Sequence, residues 1–179
     1  MRRTHLALLL VLVAAACGKP LGGPQLTAND YKLYEAATTP ASNVVAVIDS
    51  KSHSVERRLP LGAVDKSWTH LYSVASDRLT DTDPATGATL HTLRLPGTYQ
   101  LPPATMTGMP GGLSPDGKFL VLESWDRTTS TPNATHLLVI DTSFKDAPVH
   151  VELTGWWEFD AISDDGQRLY LVEYLAPGQ

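Results

Sequence analysis

A short turn sequence occurs twice in this chain, and each copy precedes a run of apolar residues. Ser114–Gly117 reads Ser-Pro-Asp-Gly and comes directly before Lys118–Trp125. Ser163–Gly166 reads Ser-Asp-Asp-Gly and comes before Gln167–Tyr174. The two turn aspartates are 49 residues apart, and a weaker third copy begins 51 residues earlier, at Asp65. A recurrence of this length predicts one supersecondary unit copied along the chain.

The remainder of the body predicts strands and no helices. From Tyr31 onward, apolar and β-branched runs of five to eight residues alternate with clusters of Gly, Pro, Asp and Ser. No stretch keeps a helical 3.6-residue period for three turns. The 179 residues are 42% hydrophobic and 18% charged, which suits one ordinary domain. We therefore predict an all-β domain.

Each repeat is interpreted as four antiparallel strands, labelled A to D from the centre outward. The first unit lacks strand A, and the fourth has only strands A and B. The predicted strands, unit by unit, are Tyr31–Ala36, Asn43–Asp49 and Ser54–Leu61; Gly62–Val64, Trp68–Ala75, Arg78–Asp83 and Thr89–Leu95; Gly112–Ser114, Lys118–Trp125, His136–Asp141 and Val149–Leu153; Phe159–Ser163 and Arg168–Leu175.

Two segments carry a resemblance to a known family. Ser114–Leu122 (Ser-Pro-Asp-Gly-Lys-Phe-Leu-Val-Leu) and Val45–Asp49 (Val-Ala-Val-Ile-Asp) resemble β-propeller repeats of the YVTN and WD-like (TolB) type. The resemblance covers roughly Tyr31 to Gln179 and implies a β-propeller of about three blades plus a partial one. It is informative about the fold and says little about function, because such propellers serve as scaffolds, ligand binders and parts of enzymes.

Four residues of the two turns are interpreted as structural. In such turns an aspartate accepts a hydrogen bond from the backbone ahead of it, and a glycine supplies the positive φ that closes the turn. These residues are Asp116, Gly117, Asp165 and Gly166.

The visible repeats make an incomplete ring. A propeller needs about four to eight blades to leave only short, protected edges. We interpret the chain as a C-terminally truncated fragment of a longer protein; the alternatives are closure by self-association and a small open stack of sheets. The last strand, Arg168–Leu175, is expected to expose an edge and to favour association.

The N-terminus predicts export. Arg2 and Arg3 precede the apolar run Leu6–Ala16, which is too short to span a bilayer of ~30 Å as a helix. The run ends at Cys17, the only cysteine, in a pattern that resembles the lipobox of bacterial lipoproteins. The resemblance implies a signal peptide over residues 1–16, lipidation of Cys17, a flexible tether over residues 17–30 and a partial propeller over residues 31–179. The alternative is an ordinary secretory peptide cut near Ala16.

Long loops on one face of the predicted sheets are the candidate binding surface. They are Pro96–Gly111, Asp126–Thr135 and Gly155–Glu158. Aromatic side chains on such loops offer contact area at low entropic cost. The candidate residues are Tyr99, Trp125, Arg127, Trp156, Trp157 and Glu158. The alternative is that the tryptophans pack between neighbouring blades.

No catalytic, cofactor or metal motif is found in the sequence. It holds no Gly-x-Ser-x-Gly, Walker or His-Glu-x-x-His pattern, so we expect no catalytic residue, cofactor or metal. The formal net charge of -5 disfavours nucleic acid as a partner. Two hypotheses remain. One is a lipid-anchored, non-catalytic module outside the cytoplasm that binds a protein or small ligand. The other is the propeller portion of an exported enzyme, of dehydrogenase or peptidase type, with its catalytic residues beyond Gln179.

Overall fold

The computed structural model describes residues 31–38, 43–103, 111–126 and 131–175, and every regular element within them is a β-strand. The strands are β1 (Lys32–Thr38), β2 (Asn43–Asp49), β3 (Ser54–Pro60), β4 (Ala63–Val64), β5 (Leu71–Ala75), β6 (Arg78–Thr82), β7 (Thr89–Arg94), β8 (Phe119–Asp126), β9 (Ala134–Asp141), β10 (Val149–Thr154), β11 (Trp156–Ile162) and β12 (Leu169–Tyr174). The all-β class predicted from the sequence is confirmed.

The strands form four small antiparallel sheets, one for each sequence unit. Sheet 1 contains β1, β2 and β3, and sheet 2 contains β4 to β7. Sheet 3 contains β8, β9 and β10, and sheet 4 contains β11 and β12. Within every sheet, strands that follow one another along the chain are neighbours. Short connections favour this arrangement, because tight turns join antiparallel neighbours directly.

Successive sheets pack face to face. On β8, Leu120 and Leu122 join the apolar cluster shared with sheet 2, whereas Val121 joins the cluster shared with Phe159 and Ile162 of sheet 4. All three β8 residues are 0% exposed. Because side chains alternate along a strand, sheet 3 is buried on both faces, which explains the unbroken apolar run in its sequence. Each of these leucines contributes roughly 2 kcal/mol of burial energy.

Sheet 1 contacts sheet 2 through fewer residues. The rings of Tyr34 and Trp68 lie 4.5 Å apart, centroid to centroid. The guanidinium group of Arg57 donates a hydrogen bond to the carbonyl oxygen of Ala85. The order of packing therefore follows the order of the chain, from sheet 1 to sheet 4.

The two repeated turns have matching geometry. Gly117 has φ +77° and Gly166 has φ +68°, and the amide of each donates to the serine carbonyl three residues earlier, at 2.9 Å. Asp116 accepts hydrogen bonds from the Ser114 hydroxyl at 2.9 Å and the Lys118 amide at 3.1 Å. The Lys118 side chain and these hydrogen bonds lower the pKa of Asp116 to about 2.

Three elements differ most from their sequence-based prediction. Strand β5 begins at Leu71, three residues after the predicted Trp68, because Trp68 has φ +57° and its amide donates to the Asp65 carbonyl oxygen at 3.0 Å in a turn. Strand β11 begins at Trp156, three residues before the predicted Phe159, because Trp156 and Glu158 pair with residues of β12. The predicted loop Gly155–Glu158 is therefore mostly strand. In sheet 3, Gln100 and Leu113 each form an isolated bridge to β8, in place of the single inner strand expected at Gly112–Ser114.

The final strand presents apolar side chains to solvent. Tyr170, Val172 and Tyr174 are 52%, 45% and 41% exposed on β12. Within the described ranges, β12 pairs only with β11. The predicted signal peptide, Cys17, the tether and Arg127 lie outside the described residues, so their assignments stay predictions.

Candidate functional site

Five of the six candidate binding residues lie in the described part of the chain, near the end of the sheets where β8 finishes and β9 and β11 begin. Two of them are joined directly, because the indole Nε1 of Trp125 donates to the carbonyl oxygen of Trp157 at 3.0 Å. The hydroxyl of Thr135 accepts from the Trp157 amide and donates to the Gly155 carbonyl, both at 2.9 Å. These bonds tie β8, β9 and β11 together.

Trp156 and Glu158 lie on the opposite face of β11 from Trp157. The rings of Trp156 and Tyr174 are stacked at 4.5 Å, and the Tyr174 hydroxyl donates to Oε2 of Glu158 at 2.9 Å. The hydrogen bond to Glu158 raises the pKa of Tyr174. The structure therefore divides the predicted surface into two faces of one strand, because consecutive side chains of a strand point in opposite directions.

Tyr99 is not an exposed loop residue. It is 8% exposed and belongs to the apolar cluster between sheets 2 and 3, which also contains Leu95 and Leu122. The bridge between Gln100 and Glu123 places this segment against β8, with backbone hydrogen bonds of 2.9 Å in both directions. The Pro96–Gly111 connection is thus packed against the sheet at this point.

A buried carboxyl group lies beside these residues, and the sequence interpretation missed it. Glu123 is 0% exposed on β8. Its Oε2 accepts a long hydrogen bond of 3.4 Å from the Phe159 amide, and its Oε1 has no hydrogen-bond partner among the described residues. Burial raises the pKa of Glu123 to about 7, and the charge of Glu158 adds to the rise, while hydrogen bonds from Phe159 and Gln100 oppose it. Desolvation disfavours the charged form of a carboxyl group.

An open pocket of about 360 Å³ adjoins Glu123, and we call it the Glu123 pocket. Its lining residues are Thr98, Tyr99, Gln100, Glu123, Ser124 and Trp125. Two of the six residues predicted for the binding surface, Tyr99 and Trp125, line it. The polar groups that converge here are a carboxyl, an amide and hydroxyls, which suits recognition of a ligand that donates hydrogen bonds.

A second polar cluster lies at the opposite end of sheet 2. Asp81 is 1% exposed and pairs in register with Tyr72 on β5 and His91 on β7. Its Oδ2 lies 2.9 Å from Nδ1 of His70 and 3.5 Å from Nδ1 of His91. Burial, and then the charge of Asp81, raise the pKa of Tyr72.

A larger pocket of about 790 Å³ lies beside His70, Tyr72 and His91, and we call it the Asp81 pocket. It lies between sheet 2 and the turns of sheet 3, and His70, Tyr72, His91, Lys118 and Thr142 are among its lining residues. The phenyl ring of Phe144 lies 5.0 Å from the His91 ring, centroid to centroid. The available signal was an aspartate inside the predicted strand Arg78–Asp83, although the sequence alone does not show which histidines contact it.

Within the described ranges, no group of three or more His, Cys, Asp or Glu side chains is arranged to hold a metal ion. The same residues contain no helix long and apolar enough to cross a membrane.

The fold and the two pockets define an all-β protein of sequentially stacked antiparallel sheets with a buried carboxyl group beside each pocket. No protein-family model matches the chain, and no curated protein matches it.

Proposed function

We propose that this chain is a β-propeller-type binding module, held outside the cytoplasm by a lipid on Cys17, and that it binds its ligand without chemical conversion. The stacking of four sheets in chain order supports the propeller part of the proposal. In that architecture each sheet is a blade, and short connections place equivalent turns at the same end of every blade. The matching turns at Gly117 and Gly166 agree with this arrangement.

The single observation that carries the binding proposal is that Oε1 of Glu123 has no hydrogen-bond partner among the described residues, while Glu123 lines an open pocket. An unsatisfied buried acceptor costs about 1 to 3 kcal/mol, so it persists where it has a use or where a ligand satisfies it. The hydrogen bonds among Trp125, Trp157 and Thr135 fix the wall of this pocket before any ligand arrives. A preorganised wall lowers the entropic cost of binding.

Ligand-induced thermal stabilisation tests the binding site. We would screen purified protein against amines, sugars, dicarboxylic acids and short peptides, and compare the wild type with Gln100→Ala and Trp125→Phe. At least one class is expected to raise the melting temperature of the wild type and to lose this effect in both variants. His91→Ala, in the Asp81 pocket, is the control that should retain it. Ligands that act only through His91, or that are converted to products, would contradict the proposal.

Fatty-acid labelling tests the anchor. A bacterial host that expresses the full chain is supplied with an alkyne-tagged fatty acid, and we expect label on the wild type and none on Cys17→Ser. The serine variant should also leave the membrane fraction, because attachment depends on the acyl chains. Equal labelling of both proteins, or membrane retention of the variant, would contradict lipidation at Cys17.

A further inference from the structure

We propose that the Glu123 pocket takes the positively charged end of an organic cation, an ammonium or guanidinium group, with the Glu123 carboxylate as its counter-ion. This inference rests on the proposed function, because it names the ligand class of the same pocket.

The carboxyl group of Glu123 lacks a hydrogen-bond donor at one oxygen: among the described residues, Oε1 is buried and has no partner. The Phe159 amide donates to Oε2 at a long 3.4 Å, and the Gln100 side chain also hydrogen-bonds the carboxyl group. Ammonium and guanidinium groups carry several N–H donors and no acceptor. A donor from such a group would satisfy Oε1 with a charge-assisted hydrogen bond, which is roughly twice as strong as a neutral one.

The charge around the pocket is negative. Among the described residues that line it are the carboxyl group of Glu123 and no Lys, Arg or His. Glu158 lies close enough for its negative charge to act on Glu123. Two carboxyl groups, with no cation among the described lining residues, favour a positive ligand, and they disfavour a negative one by like-charge repulsion.

One wall of the pocket is aromatic. Trp125 lines the pocket, and its indole is held in place by the 3.0 Å hydrogen bond to Trp157. A cation over an aromatic ring gains about 0.5 to 2 kcal/mol, and tryptophan gives the strongest such interaction. A fixed ring beside a carboxylate is the combination used to recognise alkylammonium and guanidinium groups.

The affinity for a cation should depend on pH, because binding is coupled to ionisation of Glu123. A cation binds the ionised carboxyl group, and the pKa of Glu123 is raised to about 7 in the empty pocket. Binding therefore releases a proton below this pH, and the affinity should rise as the pH increases from 6 to 8. A ligand bound through packing alone would show no such dependence.

The test compares N-acetyl-L-arginine amide with its neutral counterpart, N-acetyl-L-citrulline amide, by NMR titration at constant ionic strength. The arginine probe should bind the wild type saturably, and the citrulline probe at least about tenfold more weakly, a difference of ~1.4 kcal/mol. Glu123→Gln should weaken the arginine probe to a similar extent and abolish its pH dependence. Glu152→Gln, an exposed position on β10, is the matched control and should bind like the wild type.

Several outcomes would overturn the inference. They are equal binding of the two probes, unchanged binding by Glu123→Gln, and no binding of the arginine probe to the wild type at 20 mM, a concentration above the roughly millimolar range of weak ligands. Binding of the arginine probe to Arg127→Gln but not to the wild type would also overturn it. Arg127 would then be the cation that pairs with Glu123, and no external ligand would be needed. If the cation fails while another ligand class still depends on Trp125, the proposed function stands and only the ligand class is wrong.

Discussion

The Nδ1 atom of His70 lies 2.9 Å from Oδ2 of Asp81, whose side chain is 1% exposed between sheets 2 and 3. His91, the cross-strand partner of Asp81 on β7, approaches the same oxygen at 3.5 Å. The Asp81 side chain is thus buried, whereas the His70 and His91 side chains that contact it are 40% and 55% exposed. Two partly exposed imidazoles therefore contact the buried carboxyl group.

Asp81→Ala is expected to lower the free energy of unfolding by about 2 kcal/mol, because it removes the acceptor of both histidines and leaves a small cavity. Urea denaturation followed by circular dichroism measures the change. Asp77→Ala is the control, since Asp77 pairs with Arg94 at a site where both side chains are exposed. It should shift the stability by less than about 0.5 kcal/mol. Equal effects of the two variants would contradict a structural role for Asp81.

Glu123→Gln is expected to make the protein more stable at pH 8.5 and to leave its stability nearly unchanged at pH 4. Burial raises the pKa of Glu123 from 4.5 to about 7. Between these values the unfolded chain releases its proton while the folded chain keeps it, so stability falls as the pH rises. Above pH 7 both states are ionised, and the folded wild type carries the full cost of the buried charge, about 3 kcal/mol.

Chemical denaturation of both proteins at several pH values measures this difference directly, because contributions from the other titratable groups cancel. The stability of the variant relative to the wild type should increase between pH 4.5 and 7 and then level off. A constant difference across this range would show that Glu123 is not held in its protonated form.

Thr135→Val should cost about 2 kcal/mol of stability, because it leaves the Trp157 amide and the Gly155 carbonyl without their hydroxyl partner. Thr135 is 0% exposed, so water cannot replace the hydroxyl without local opening. The same substitution at Thr89, which is exposed on β7, should be neutral within about 0.5 kcal/mol. Thermal melts of the two variants check the prediction; a Thr135 variant as stable as the Thr89 variant would refute it.

The two turn glycines should respond differently to alanine. At Gly117 an added Cβ meets nothing closer than 3.8 Å, so Gly117→Ala should cost only the strain of positive φ, about 1 kcal/mol. At Gly166 the added Cβ would lie 2.6 Å from the Phe119 ring. Gly166→Ala should therefore be the more destabilising by about 1 to 3 kcal/mol, measured by urea denaturation, because overpacking adds to the strain. The opposite order would mean that Phe119 moves aside freely.

The strand positions could be predicted from the sequence because local chemistry fixes them. Alternating apolar residues and the turn signatures at Ser114–Gly117 and Ser163–Gly166 placed most strands within a few residues of their observed bounds. The chief exceptions were the starts of β5 and β11, each three residues from its predicted position. The first residues of β11 form a strand because they pair with β12 and bond to Thr135, and neither partner is close to Trp156 in sequence.

Less of the candidate site than of the strand positions could be predicted from the sequence. The sequence analysis predicts Trp125 and Trp157 on one surface, and a hydrogen bond joins them in the structure. Glu123 and Asp81 were missed, because an acidic residue in a strand has no distinctive neighbours along the chain. Their burial and their contacts depend on residues from neighbouring strands and sheets.

The sequence by itself determined the all-β class and the closing glycines of the turns Ser114–Gly117 and Ser163–Gly166, since strand alternation and turn backbone angles are properties of a few consecutive residues. Only the tertiary structure decided that Glu123 is buried, that its Oε1 has no hydrogen-bond partner among the described residues, and that His70 and His91 contact Asp81. Burial and charge pairing are sums over residues from different strands and sheets, and strand register and sheet packing bring those residues together.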